Sequence, residues 1–305
     1  MKKITGTFRS SSGLCDIHFY IYTPEKPKAV LMLSHGMCEY TERYEDFAEF
    51  LCRNDIAFCG NDHLGHGKSV SAPDMLGYFG SSRGYINMVR DLRRMSAVAK
   101  MKFPELPLFL MGHSMGSFLA RIFLSKYSDG ISGAIIMGTA GGVTGSAPLR
   151  AVLDLVSRTN GELHRSTVCT NLAFGAYNLK IDNHRTSKDW LSRDDKNVDK
   201  YCADPLCNFT FTVAGYRDML NALLCCNSDS VIENTPTNIP ILFLSGNADP
   251  VGEYGKGVKS VVEKYLAHGC RVNYRLYNGA RHELLFELNR DEVKRDILDF
   301  LIDKI

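Results

Sequence analysis

The amino-acid sequence predicts an α/β fold with a mostly parallel central sheet flanked by helices. Short, continuous apolar runs of strand length alternate with amphipathic helical patterns along most of the chain. This alternation is typical of parallel strands that are buried on both faces. The 305 residues, 45% of them hydrophobic, can form one large core. A single long interruption of the alternation predicts an insertion into this domain.

The predicted elements follow in order from these patterns. Two early strands separated by Ser-Ser-Ser-Gly at 10–13 are expected to form a hairpin. Apolar runs bounded by turn residues predict later strands at 28–33, 56–60, 106–111, 133–137, 239–244 and 271–277. Helical periodicity predicts helices at 85–102, 115–127 and 290–304, the last with Val293, Ile297, Phe300 and Leu301 on one face.

The insertion lies between the strand at 133–137 and the strand that begins at Ile239. This separation is far longer than a connection between neighbouring strands needs. We therefore expect a core of residues 1–141 and 239–305 with an inserted helical lid of residues 142–238. The apolar positions that suggest packed elements within the lid are Leu149, Val152, Leu153, Val156, Phe209, Phe211 and Val213.

Ser114 is the candidate nucleophile. The strand at 106–111 runs into Gly-His-Ser-Met-Gly at 112–116, and a helical pattern follows at once. A strand that reverses abruptly into a helix needs glycine beside the serine and holds the serine in a strained conformation with its hydroxyl exposed. The same turn places the amide of Met115 at the start of the helix, where an unpaired N–H can stabilise an oxyanion.

A second Gly-x-Ser-x-Gly pattern surrounds Ser82, at 80–84. The residues before it are interrupted by glycine and follow Ser-Ala-Pro-Asp at 71–74, which is typical of a loop rather than of a buried strand. The context therefore favours Ser114 and predicts that Ser82 is a loop residue.

Asp249 and His282 are the candidate partners of Ser114. Asp249 follows the apolar run at 239–244, and His282 lies in the loop that leaves the strand at 271–277. The carboxyl ends of parallel strands meet at one edge of a sheet, so these side chains can converge there. Serine, acid and histidine in this chain order are expected of an α/β-hydrolase. The alternative is that Asp249 and His282 are ordinary loop residues.

A second oxyanion donor is expected from an early strand-to-helix loop. The strand at 28–33 is followed by Ser-His-Gly-Met at 34–37. Gly36 allows a close approach of the backbone, and the amide of Met37 is expected to point toward the site. An ordinary tight turn is the alternative interpretation.

The motifs around these residues are similar to those of a known family. They are His-Gly-Met-Cys-Glu-Tyr-Thr-Glu-Arg-Tyr at 35–44, Asp-His-Leu-Gly-His-Gly-Lys-Ser at 62–69 and the pentapeptide at 112–116. With them the chain resembles, over nearly its whole length, the monoglyceride lipase and lysophospholipase branch of the α/β-hydrolase superfamily, of serine aminopeptidase type. The segments at 190–194 and 203–207 also look like the lid of bacterial members.

The resemblance implies a triad at Ser114, Asp249 and His282, and an oxyanion hole from the amides of Met37 and Met115. Two positions depart from the family pattern. Tyr40 stands where many relatives have His, and Cys38 stands where Gly or Ala is common. Both departures lie near the oxyanion loop and leave substrate preference open.

These residues predict a serine ester hydrolase with an apolar acyl pocket. Ser114 would attack an ester carbonyl, His282 would take its proton and later protonate the leaving alcohol, and Asp249 would orient the imidazole. Water would then release the acyl group. The expected substrates are acyl esters such as monoacylglycerols or lysophospholipids, and no cofactor is needed. Apolar lid residues are expected to bury the lid on the core, line an acyl tunnel or touch a lipid surface.

The same residues leave other functions open. Thioester cleavage, acyl transfer and aminopeptidase action would use the same triad. A peptidase acting on free N-termini needs an acidic pocket, and the lid has many Asp residues from which one could be built. A non-catalytic binding protein on this scaffold is the alternative of a different class, and the intact set of Ser, Asp and His argues against it.

Composition bears on other classes of protein. The formal net charge of +2 gives no reason to expect a nucleic-acid partner. Residues 1–9 lack the apolar core of a secretory signal, and no run is long enough to span a bilayer. The ten cysteines are then expected to be reduced. We expect a cytoplasmic protein and leave peripheral membrane contact and oligomeric state open.

Several histidines are expected to be structural. His63 and His66 lie in a glycine-containing turn without an evident third ligand, so no metal is expected there. The pattern Asp62-x-x-Gly65-x-Gly67 predicts a structural turn rather than a phosphate cradle, because no helix opens directly behind it. His35 and His113 are expected to hold loops near Ser114 by hydrogen bonds.

Overall fold

The sheet is built from the apolar runs of the sequence. The structure is a computed structural model that describes residues 1–142 and 145–305. Its strands are β1 (Lys2–Arg9), β2 (Asp16–Thr23), β3 (Ala29–Ser34), β4 (Ile56–Asn61), β5 (Leu108–His113), β6 (Ile131–Met137), β7 (Ile241–Gly246) and β8 (Val272–Tyr277). They form a sheet in the order β1-β2-β4-β3-β5-β6-β7-β8.

The sheet is parallel except around β2. β2 is antiparallel to β1 and to β4, and the other neighbouring pairs are parallel. The predicted hairpin and the mostly parallel sheet are both confirmed. β3, β4, β5 and β7 are buried along their whole length. Their sequences are therefore continuous apolar runs and do not alternate between apolar and polar residues.

Helices cover both faces of this sheet. They are α1 (Glu45–Arg53), α2 (Gly84–Lys102), α3 (Met115–Tyr127), α4 (Ser146–Asn160), α5 (Thr167–Phe174), α6 (Asp195–Ala203), α7 (Val213–Cys226), α8 (Asp229–Glu233), α9 (Lys256–Ala267) and α10 (Arg290–Ile302). α2, α3 and α9 pack in one core layer, and α1 and α10 pack in the other. Successive β3 residues alternate between the layers, with Met32 in the first and Leu31 and Leu33 in the second.

β5 and β7 each begin and end two residues later than the sequence predicts. β5 continues through Gly112 and His113, which pair with Ile136 and Met137 of β6. β7 continues through Gly246, which pairs with Tyr277 of β8. The apolar patterns end before these residues, but hydrogen bonding to neighbouring strands keeps the backbone extended up to the edge of the sheet.

The segment between β6 and β7 contains α4 to α8, and its described residues form no strand. It spans the predicted lid of residues 142–238, of which residues 143 and 144 lie outside the described part of the chain. α7 packs against α3 of the core and against α4. None of the helices in the described residues combines the length and apolarity needed to cross a membrane.

Candidate active site

Three loops at the carboxyl edge of the sheet bring Ser114, His282 and Asp249 together. Ser114 follows β5, Asp249 follows β7 and His282 follows β8. The Nε2 atom of His282 lies 2.8 Å from Oγ of Ser114, and its Nδ1 atom lies 2.9 Å from Oδ2 of Asp249. Both partners of the imidazole–carboxylate pair are buried. The geometry permits proton transfer from the hydroxyl to an imidazole that is held by the carboxylate.

The turn that presents Ser114 is as tight as the sequence predicts. Ser114 has a φ of +52°, a left-handed conformation that is costly for a residue with a Cβ. A Cβ at Gly116 would collide with the carbonyl oxygen of Ser34, and a Cβ at Gly112 would lie 2.6 Å from that of Ala120. Both glycines are therefore required by the close approach of β5, α3 and the β3 loop.

Met37 and Met115 are the predicted donors to an oxyanion. Met115 is the first residue of α3, and Met37 lies in the turn after β3. Both residues line the same cavity as Ser114. A Cβ at Gly36 would lie 3.0 Å from that of Ser114, so the β3 loop is in direct contact with the serine. The first amides of a helix lack intrahelical partners, which leaves the Met115 N–H available for an oxyanion.

Cys38 and Tyr40, the two departures from the family pattern, both form hydrogen bonds to the segment between β6 and β7. Cys38 has a φ of +54°, in the region that glycine adopts without strain. Its thiol donates to the carbonyl oxygen of Phe209. The hydroxyl of Tyr40 donates to Asp204 at 2.7 Å. Both residues therefore connect the loop after β3 to the segment between β6 and β7.

Glu39 is a buried carboxylate near the site, and its role was not predicted from the sequence. It accepts hydrogen bonds from the backbone N–H of Gly36 and from the hydroxyl of Tyr44. Its Oε1 atom lies 2.7 Å from Nδ1 of His113, the residue before Ser114. The expectation that His113 holds a loop near the serine by a hydrogen bond is confirmed.

Arg43 extends this network to the histidine loop. Its guanidinium donates to Glu39 at 3.0 Å and to Glu283 at 2.8 Å. Glu283 directly follows His282, and all three charged groups have little exposed side-chain surface. The loops after β3, β5 and β8 are thus joined by one cluster of buried charges, which we call the Glu39 cluster and which comprises Glu39, Arg43, His113 and Glu283.

Electrostatic attraction outweighs burial in this cluster. Burial by itself would raise the pKa of Glu39, but His113, Arg43 and His35 hold that pKa well below its usual range. Burial by itself would lower the pKa of His113, but Glu39 raises it above its usual value. A charged network of this kind fixes the loops in one arrangement, because an unpaired member would be costly at this depth.

A second group of buried histidines supports the loops after β3 and β4. His35 accepts a hydrogen bond from the backbone N–H of His63 at 2.8 Å, which confirms that it holds two loops together. The ring of His66 stacks on that of Phe79, with centroids 5.4 Å apart. Burial lowers the pKa of all three histidines, that of His66 to about 3. Among the described residues, no three His, Cys, Asp or Glu side chains are grouped to hold a metal.

The turn at 62–67 is structural, as predicted. The carboxylate of Asp62 accepts hydrogen bonds from the backbone N–H groups of Thr41 and Lys68 at 2.9 and 3.0 Å. Gly67 has a φ of +50°, and a Cβ there would collide with the Asp62 carboxylate. The acidic side chain therefore closes the turn itself. Ser82, in the second Gly-x-Ser-x-Gly pattern, lies in an exposed bend before α2, which confirms the loop prediction.

Ser114 opens into a cavity of about 390 Å³. Much of its wall is apolar and comes from α3, α4, α5 and α7, with Phe118, Leu149, Leu172, Phe174, Met219, Leu220 and Leu223. The ring of Trp190 lies 5.1 Å from that of His282, centroid to centroid. Lys188 and Glu253 also line the cavity. Within the described residues Glu253 is the one carboxylate on this wall, and no Asp of the segment between β6 and β7 reaches it.

The chain matches a known protein family. A family model described as "Serine aminopeptidase, S33" (Hydrolase_4) matches residues 25–289. The chain belongs to this family. The resemblance expected from the motifs at 35–44, 62–69 and 112–116 is thereby confirmed.

Relatives and solved structures agree with this membership. The monoglyceride lipase of Homo sapiens is 29% identical over 269 residues, which are 86% of this chain and 78% of the human protein. The monoacylglycerol lipase of Mycolicibacterium smegmatis is 25% identical over 293 residues, 95% of this chain and 94% of that protein. A carboxyl esterase from Bacillus coagulans, solved in complex with glycerol, is 29% identical with a TM-score of 0.93, covering 100% of this chain and 99% of that one. The predicted α/β-hydrolase fold is confirmed.

Because His66 is buried and neutral, we expect the free energy of unfolding to fall in mild acid. The pKa of His66 is about 3 in the folded protein and near the ordinary 6.5 when unfolded, so only the unfolded state takes up a proton between these values. Stability is therefore lost as the pH falls through this window. From about pH 7.5 to about pH 5 this one residue should cost about 2 kcal/mol of unfolding free energy.

Urea unfolding of His66→Phe at several pH values tests this expectation. The variant keeps an aromatic ring against Phe79. Between pH 7.5 and pH 5 its free energy of unfolding should fall by about 2 kcal/mol less than that of the wild type. His184→Phe, which replaces an exposed histidine, should retain the wild-type dependence. Equal pH dependence in wild type and His66→Phe would contradict a neutral buried His66.

Proposed function

We propose that this chain is a serine carboxylic-ester hydrolase that cleaves monoacylglycerol-like esters through an acyl-enzyme. The observation on which the proposal rests is the hydrogen-bonded series Ser114, His282 and Asp249 at the base of a largely apolar cavity. Each residue has the role that its position permits. Ser114 is the nucleophile, His282 the general base and acid, and Asp249 the group that orients the imidazole.

The first half-reaction forms the acyl-enzyme. Oγ of Ser114 bonds to the ester carbonyl carbon while Nε2 of His282 takes the hydroxyl proton, and the carbonyl π electrons move onto oxygen. When the carbonyl re-forms, the bond to the alcohol oxygen breaks and His282 gives its proton to that oxygen. Asp249 accepts the Nδ1–H hydrogen bond and stabilises the imidazolium between these steps.

The second half-reaction repeats these steps with water. His282 takes a proton from water as its oxygen bonds to the acyl carbon, and then returns a proton to Ser114 as the fatty acid leaves. The amides of Met37 and Met115 hold the oxyanion in both halves. Two preorganised donors are effective here because a site with little water needs no reorganisation as the negative charge develops.

The cavity supports a lipid-like acyl ester as substrate. Its wall is apolar over α3, α4, α5 and α7, which suits an alkyl chain, and the human and mycobacterial relatives are a monoglyceride lipase and a monoacylglycerol lipase. An aminopeptidase reaction receives less support, because Lys188 shares the described wall with the single carboxylate, Glu253. A nearby cation disfavours binding of a substrate ammonium group.

We propose further that residues 142–238 form a lid over the core of residues 1–141 and 239–305. The lid would also contact the lipid surface that supplies the substrate. Its described residues expose large apolar side chains at Leu155, Leu163, Val168, Leu172 and Leu179, each with more than half of its surface accessible. Exposed apolar side chains clustered along one segment are typical of contact with a lipid interface.

Replacing Ser114 by Ala should lower kcat/KM for a monoacylglycerol by about a millionfold, because the acyl-enzyme cannot form. The variant should unfold in urea like the wild type. Ser82→Ala, which changes the serine of the second Gly-x-Ser-x-Gly pattern, should keep full activity. Comparable activity in Ser114→Ala and wild type would overturn the proposed nucleophile.

Replacing Leu155 and Leu179 together by Asp should weaken binding to phosphatidylcholine vesicles severalfold, as measured by flotation, because two apolar contacts become charged. Met101→Asp provides the control, since Met101 is 80% exposed, much like Leu179 at 81%, but lies on α2 outside the lid. Unchanged flotation of the double variant would refute contact through the lid.

A further inference from the structure

Lys188 is a charged residue on the cavity wall for which the proposed mechanism has no use. It is half-buried and lines the cavity together with Ser114 and His282. It forms no ion pair with any other described residue. A partly buried cation without a counterion on a substrate-binding wall favours an anionic group on the ligand.

The backbone around Lys188 is fixed relative to the catalytic residues. Arg281 donates to the carbonyl oxygens of Asp189 and Ser192 at 2.7 and 3.0 Å, and the N–H of Glu283 donates to Leu191 at 2.7 Å. Arg281 and Glu283 flank His282 on either side. The position of Lys188 is therefore tied to that of the imidazole.

The carboxylate next to Lys188 is already engaged. Asp189 is buried, and it accepts hydrogen bonds from the backbone N–H groups of Arg185 and Thr186 and from the Thr186 hydroxyl. These bonds satisfy the Asp189 side chain within its own turn. The Asp189 carboxylate therefore does not serve as the counterion of Lys188, which lines the cavity.

Lys188 lines the same cavity as the loop after β3. Met37 and Cys38 of that loop share the wall with Lys188. Burial raises the pKa of the Cys38 thiol to about 12, and the positive charge of Lys188 is the strongest influence opposing this rise. Trp190, two residues after Lys188, has its ring 5.1 Å from that of His282, and the N–H of Leu191 donates to the carbonyl oxygen of Lys188. Lys188 therefore belongs to the part of the wall next to the catalytic residues.

The position of Lys188 indicates where the acyl chain and the alcohol half of the substrate bind. An acyl chain beside the ammonium group would remove its solvent without replacing the lost hydrogen bonds, which is unfavourable. The apolar wall from α3, α4 and α7 accommodates the chain instead, through residues such as Phe118, Leu149 and Leu220. The alcohol half of the ester is then left on the side of Lys188.

We propose that Lys188 binds an anionic group on the alcohol half of the substrate and favours acylglycerol phosphates over neutral acylglycerols. The inference rests on the proposed function, because it concerns the same reaction at Ser114. A phosphate oxygen and a lysine ammonium form charge-assisted hydrogen bonds, which are strong where water is scarce. Glu253, the carboxylate on the same wall, would repel the phosphate and so keep it on the side of Lys188.

The test compares kcat/KM for oleoylglycerol phosphate with kcat/KM for oleoylglycerol. The two substrates share one acyl chain, and comparing their ratio between variants cancels differences in their aggregation. Lys188→Met should lower the ratio about 10- to 100-fold, the range expected for a hydrogen bond to a charged group. Lys188→Arg should keep the ratio near wild type. Lys180→Met should also keep it, because Lys180 is an exposed lysine of the same segment that does not line the cavity.

The possible results separate this inference from the proposed function. An unchanged ratio in Lys188→Met, with oleoylglycerol still hydrolysed, overturns the inference and leaves the proposed function intact. Failure of the wild type to hydrolyse either substrate overturns both. If Lys188 served only to balance Glu253, the effect of Lys188→Met would vanish in a Glu253→Gln background, and that result also overturns the inference. Persistence of the effect in that background supports it.

Discussion

The parallel register of β5, β7 and β8 is the constraint on which the candidate site depends. Gly246 pairs with Tyr277, and Gly112 pairs with Ser34 on one side and Ile136 on the other. The strands therefore end together, and the loops that follow them meet at one edge. A shift of one residue in any pair would move a loop by about 3.3 Å and invert the faces of the strand. Hydrogen bonds of 2.8 and 2.9 Å between the loops could not survive such a shift.

Strand register brings the loops close, and the Glu39 cluster holds them there. Burying any one of the four ionisable groups without a partner would be unfavourable. Each group is paired with another, and Glu39 also accepts a hydrogen bond from the backbone N–H of Gly36. Losing one partner would leave a buried charge unbalanced. The cluster thereby joins the loop after β3, the turn before Ser114 and the residue after His282. The ring of His113 also packs against that of His282, with centroids 5.0 Å apart.

Local signals made much of this predictable from sequence. The strands are continuous apolar runs, and the turn at Ser114 needs glycines at defined positions, so both can be recognised in a single segment. The Arg43–Glu283 ion pair cannot be recognised within one segment, since 240 residues separate its members. The spacing of Glu39 and Arg43 by four residues, and an acid directly after His282, were the available signals, but charged residues at such spacing occur on many exposed surfaces. Lys188 was unpredictable because cavity walls depend on tertiary packing.

Reaction with a fluorophosphonate probe, followed by peptide mass spectrometry, measures most directly whether the three loops form one nucleophilic site. We expect a single label, on Ser114, and a rate of labelling that falls by about a thousandfold in His282→Gln because the serine loses its base. Labelling of another serine, or an unchanged rate in His282→Gln, would show that these loops do not act together.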